Sequence, residues 1–238
     1  MNFKQLVSLL PRLAKYNFQV IFAGRFGWFL LASFALFLLL LFQIAWENQE
    51  EVNEGLIYEL LFVPSLLLVF YPAVFGIQND ADARILELLF GIPNYKYKVW
   101  AVRLAMIYVA VFCILLLFSA AAGVLLYPVR PLMMAAQLMF PVVFFGNLSF
   151  MFSTIIRNGN GTAVVTIILF LLITILTNSD AIDRSFWNVL LNPFSPPRGM
   201  IPALWESLAL KNRLFLLVGS LVCMMVGLLN LQQREKFL

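Results

Sequence analysis

Long apolar stretches alternate with short charged segments along this chain. Gly27–Trp46 runs for twenty residues without a charge, enough at about 1.5 Å per helical residue to cross a hydrocarbon core roughly 30 Å thick. Further apolar runs cover 56–77, 99–127, 132–156, 162–177 and 213–231. None alternates residue by residue as a barrel strand would, so the pattern predicts six membrane-spanning helices and an all-α fold. Lipid offers no hydrogen bonds to an open backbone, which leaves the helix as the solution for runs of this kind. Pro64 and Pro72 fall inside the second run, where neighbouring helices can satisfy the freed backbone groups. Turn signals separate the runs: Pro128 with Pro131, and the five residues Arg157-Asn-Gly-Asn-Gly161.

The remaining segments have patterns of their own. Over residues 1–26, Phe3, Leu6, Val7, Leu10, Leu13 and Ala14 recur at helical spacing opposite Lys4, Arg12 and Lys15. A basic face against a Leu/Phe stripe predicts an amphipathic helix lying in the membrane interface. Residues 78–98 form a charged loop in which Ile85, Leu88, Leu89 and Ile92 share one helical face. Asp80 or Asp82 is expected to cap that short helix, and Gly91 with Pro93 to end it. In residues 178–212, Asn192-Pro-Phe-Ser-Pro-Pro197 cannot be regular helix, yet 186–191 and 200–204 are apolar. Short helices dipping back into the membrane are expected there. Residues 232–238 form a basic tail.

Composition sharpens this picture. Hydrophobic residues make up 63% of the 238 and charged residues 12%, against about 25% charged in a soluble domain. With the N-terminus inside, eleven of the 16 Lys and Arg residues fall in cytoplasmic segments and five outside, so both termini are expected to be cytoplasmic. The net charge of +4 suits contact with anionic lipid, and no nucleic-acid role is needed. The chain has no histidine and only two cysteines, Cys113 and Cys223, both in apolar runs and expected to be buried small hydrophobes. These absences speak against imidazole acid–base chemistry, His-ligated metal and a disulfide framework. No GxxxxGK[ST] phosphate cradle is present. No catalytic residue, metal or cofactor is therefore expected in the chain. The few polar residues within spans, Gln137, Asn147, Ser149, Ser153, Thr154, Thr166 and Thr174, are expected mainly to bond between helices. Asn147, Ser149 and Thr166 are the candidates to face a substrate path.

One stretch carries residue-level likeness to a known family. Asp82, then Arg84-Ile85-Leu86-Glu87-Leu88-Leu89 and Ile92-Pro93 followed by Lys96 and Lys98, resembles the cytoplasmic loop of type 2 ABC exporter permeases. That loop has an acidic turn, a Leu-Glu-Leu-Leu core, a proline and a basic segment opening the third span. Arg84-Ile85 replaces the usual Gly-Thr. The plan of the whole chain is similar too: a basic amphipathic start, six spans, both ends inside and a long segment before the last span. The resemblance implies that Asp82, Arg84, Leu86, Glu87, Leu88, Leu89, Ile92 and Pro93 form a coupling helix docking on a separate ATP-binding-cassette ATPase subunit, which binds the ATP. It also implies a homodimer or a pair with a related permease in the cell's inner membrane, and export of a lipid, drug or other amphiphile. A secondary transporter or channel, or a membrane assembly scaffold, are the alternatives. The first of these usually needs ionisable groups at mid-membrane, whereas Glu59 and Arg103 are expected near span ends.

Overall fold

The structure, a computed structural model, describes residues 26–46, 52–82, 96–177, 185–197 and 199–231. Six long helices account for most of these, with no strand among the described residues: α1 Phe26–Trp46, α2 Glu54–Asp82, α3 Val102–Leu125, α4 Pro131–Ile156, α5 Gly159–Thr177 and α6 Pro202–Asn230. A π-helical turn, Lys96–Ala101, leads directly into α3. Each of the six contains an apolar window of mean hydropathy between 1.7 and 2.7 and is long enough to cross a bilayer. The chain is a multi-pass, all-helical membrane protein. The amphipathic helix expected over residues 1–26, apart from Phe26, which begins α1, and the short helix expected over Ile85–Ile92 lie outside the described residues.

Three helix boundaries differ from those expected, each for a local reason. The second helix continues past Ile77 to Asp82 because its polar last turn finds partners in the bundle, so Asp80 and Asp82 belong to the last turn of α2, and the helix that either was expected to cap lies outside the described residues. The five-residue turn 157–161 shrinks to two. Arg157 takes a left-handed φ of 60° to close α4, and Asn158 caps α5, its side-chain oxygen accepting from Gly161 N–H at 3.1 Å. The sixth helix begins at Pro202, eleven residues before Arg213, with proline in the first helical position that suits it. Where short helices dipping into the membrane were expected within 178–212, the described residues 185–197 form turns, with Val189 packed against Phe145 and Leu216.

Helices α2 and α4 form the centre of the bundle. Both touch α3 and α5, while α1 packs on α2 and α6 on α4. Leu61, Leu68, Leu115, Met134 and Leu138 are fully buried where α2, α3 and α4 meet. Small residues permit close crossings. A Cβ at Gly146 would stand 2.8 Å from Val69 and 2.9 Å from the Tyr108 hydroxyl, and one at Gly227 would stand 2.7 Å from Phe150. Ser33 Oγ on α1 donates to the Pro64 carbonyl at 2.8 Å, joining α1 to α2 inside the bundle. On the outer surface of α1, Trp28 and Trp46 are 74% and 75% exposed. They lie eighteen positions apart, about 27 Å of helix, a spacing that suits one amphipathic ring at each interface of a membrane.

Candidate functional site

Three polar assemblies interrupt the apolar bundle, and each joins elements distant in sequence. The first flanks loop 83–95. Asp80, in the last turn of α2, accepts from Arg103 Nη1 on α3 at 2.7 Å, and both side chains are more than nine-tenths buried. The Arg103 guanidinium lies 4.8 Å from the centre of the Trp100 ring. Trp100 packs with Ile77, Leu104, Phe150, Leu228 and Leu231, bringing α2, α3, α4 and the end of α6 into one joint. Gln78 Oε1 accepts from the Gly159 N–H that opens α5, and Asn230 Nδ2 donates to the Thr154 carbonyl at 2.6 Å. The two ends of loop 83–95 are thus tied to each other and to the other helices that meet at this end.

The second assembly is a thread across the bundle. Tyr108 on α3 donates to Asn147 Oδ1 on α4 at 2.6 Å, and Asn147 Nδ2 donates to Ser220 Oγ on α6 at 2.7 Å. These residues floor an apolar groove of about 640 Å³ between α3 and α6, with Leu104, Met139 and Leu217 among its walls.

The third lies at the opposite end, around Arg213. This residue is 5% exposed and lies eleven residues inside α6 rather than at the start of its span. Its Nε donates to Gln137 Oε1 at 2.8 Å and its Nη1 to Asn212 Oδ1 at 3.1 Å. Nη2 reaches the Tyr58 hydroxyl and the Leu191 carbonyl, both at 3.4 Å. Asn212 Nδ2 in turn donates to the carbonyls of Phe186 and Asn188 at 2.9 and 2.7 Å, holding the irregular segment against α6.

Of the residues expected to couple to a partner, Asp82 is the exposed last residue of α2, 3.5 Å from Gln78 Nε2. Arg84, Leu86, Glu87, Leu88, Leu89, Ile92 and Pro93 lie outside the described residues. The three path candidates do not converge. Asn147 belongs to the groove beside α3 and α6, whereas Ser149 and Thr166 line a separate cavity of about 210 Å³ among α1, α2, α4 and α5. Interhelical bonding is also scarcer than expected, because Ser149, Thr154 and Thr174 donate to carbonyls of their own helices. Cys113 is exposed on the surface of α3 and Cys223 partly exposed on α6, rather than buried.

Sequence reasoning missed Asp80 with Arg103, Trp100, Tyr58 and Arg213 as members of buried assemblies. For Arg213 a signal existed: Pro202 starts a stretch free of glycine and proline up to Gly219, which favours one continuous helix through the charge. No family model, curated protein or solved structure matches this chain.

Proposed function

We propose that this chain is the transmembrane permease subunit of an ATP-binding-cassette transporter, an exporter that moves a lipid, drug or other amphiphile with ATP hydrolysed by a separate subunit. The observation that carries the reading is the buried Asp80–Arg103 joint at the two roots of loop 83–95, the segment whose sequence resembles a coupling helix. A push on that loop is delivered to α2 and α3 together, because the ion pair ties one to the other. From α3 it passes through Tyr108, Asn147 and Ser220 to α4 and α6. On this reading the loop faces the cytoplasm, both termini lie on that side, and two such chains form the translocation unit. Apolar walls around both central cavities suit a substrate with a large apolar part.

Purification of the tagged chain from its native membrane tests the proposal. An ATPase subunit with a phosphate-cradling GxxxxGK[ST] loop should co-purify, and its ATP turnover should depend on this chain. A chain isolated repeatedly without any nucleotide-hydrolysing companion would reject the reading. A secondary transporter draws limited support from the buried charges. Asp80 and Arg103 lie at helix ends and are spent on each other, and Arg213, the twelfth of the 29 residues of α6, stands where its apolar run begins.

A further inference from the structure

We infer that the cavity in front of Arg213 binds the anionic group, phosphate or carboxylate, of an amphiphile whose apolar part lies along the bundle. The cavity measures about 570 Å³, within the range of small-molecule sites. Gln137 and Phe140 on α4, Pro193 in the irregular segment, and Trp205, Ala209 and Arg213 on α6 are among its lining. Apart from Arg213 and Gln137 at one side and Glu206 at the other, that lining is apolar.

The charge at its base is the telling feature. Among the described residues the one ion pair is Asp80–Arg103, and the four hydrogen-bond acceptors around Arg213 are all neutral. Such acceptors satisfy N–H groups without cancelling the positive charge, and a buried cation lacking a counter-charge is costly to keep. Residues of this kind within membrane segments are functional far more often than structural. An anion arriving in the cavity supplies the missing charge, and the second Nη1 N–H, the donor that the four neutral partners leave over, suits a phosphate or carboxylate oxygen.

Position and shape select the rest of the ligand. Arg213 lies eleven residues into α6, about 16 Å along its axis, and Gln137 six residues into α4, about 9 Å. Arg213 also opens the apolar run 213–231, so the charge stands where α6 turns from a mixed to an apolar sequence. Phe140, whose ring centre is 5.6 Å from the guanidinium carbon, and Trp205 offer apolar contact beside the charge. Glu206, two helical turns nearer the start of α6, is exposed, so water screens it and it does not compensate the buried cation. As a binding site the cavity stands on these observations alone. As the substrate's class it rests on the transport reading above.

The test uses the purified full-length chain in neutral detergent, without ATPase or ATP. Dioctanoyl phosphatidylglycerol, dioctanoylglycerol (the same apolar part without the phosphate) and inorganic phosphate are titrated calorimetrically. The anionic lipid should bind at least roughly tenfold tighter than dioctanoylglycerol, the equivalent of one charge-assisted hydrogen bond, and much tighter than inorganic phosphate. Arg213→Gln should equalise the two lipids. Ala209→Phe, which fills the cavity and keeps the charge, should weaken phosphatidylglycerol binding and decides the matter should Arg213→Gln not fold. Arg130→Gln removes an exposed charge at the same end of the bundle and should leave the preference intact. Equal affinity for the two lipids in the unaltered chain would overturn the inference. So would a preference surviving Arg213→Gln, phosphatidylglycerol binding undiminished in Ala209→Phe, or inorganic phosphate binding as tightly as the anionic lipid. None of those results bears on whether an ATPase attaches, while loss of the ATPase partner with the lipid preference retained would reject the transport reading and spare the site.

Discussion

Arg103 and Asp80 are tolerable inside the bundle because each neutralises the other across 2.7 Å. Removing one partner alone strands a buried charge, at a cost on the order of 3–5 kcal/mol, whereas removing both leaves no charge to strand. Arg103→Ala and Asp80→Ala should therefore each lower the unfolding midpoint in detergent, and the double variant should lose less than the two penalties added. Strictly additive penalties in that double-mutant cycle would show the pair to be uncoupled. Other polar residues matter less individually. The Tyr108–Asn147–Ser220 bonds are worth roughly 0.6 kcal/mol apiece in a membrane bundle, and their role is to fix the register of three helices. Gly146 acts by absence, since any side chain there meets Val69 and Tyr108.

At the scale of elements, α2 and α3 act as a pair whose shared end carries loop 83–95. Long helices transmit displacement along their axes, and the ion pair keeps their loop-proximal ends from separating. On the transport reading, force applied to the loop would tilt or shift the pair instead of bending the loop's roots apart. Docking of the loop on a partner would bury Leu88 or Leu89, each contributing roughly 1.5–3 kcal/mol by apolar transfer. Leu88→Asp and Glu87→Lys should abolish ATP-dependent transport in reconstituted vesicles while the chain still inserts and keeps its unfolding midpoint. Unchanged transport by both variants would remove the loop from the coupling route. The irregular segment 185–197 plays a different part: Asn212 and Arg213 hold its carbonyls, and its prolines border the cavity at that end.

For the whole molecule, exposure is distributed unevenly. The most apolar window of α2 is 61% buried, but those of α1 and α5 are only 11% and 17% buried. Their outward faces require an apolar cover, which lipid supplies and a second copy could share. In the transport reading one six-span chain is half of a translocation unit. The active complex in nanodiscs should accordingly contain two permease chains, identical or related, with two ATPase chains, as read by native mass. Full chain-dependent ATP turnover by a complex holding a single permease would contradict this.

The six spans were legible in the sequence because a bilayer imposes one length and one composition on whatever crosses it. Gly27–Trp46 and Leu132–Ile156 agree with α1 and α4 to within one residue at each end. Boundaries failed where a polar residue marked the edge of an apolar run but continued its helix. Asp80 and Arg213 are hydrophilic in any linear reading, and they extend α2 and α6 because Arg103 and Gln137 wait for them on other helices. The path candidates failed for a related reason: Asn147 and Ser149 are neighbours in sequence, but the helical turn sends them to cavities on different sides of α4. Hydrophobicity is a property of each residue and adds along a chain, so sequence alone determined the number and nature of the spans. Whether a polar group is satisfied depends on its partner in space, so only the packing of α2, α3, α4 and α6 decided which charges are buried, which are paired, and which one is left facing a cavity.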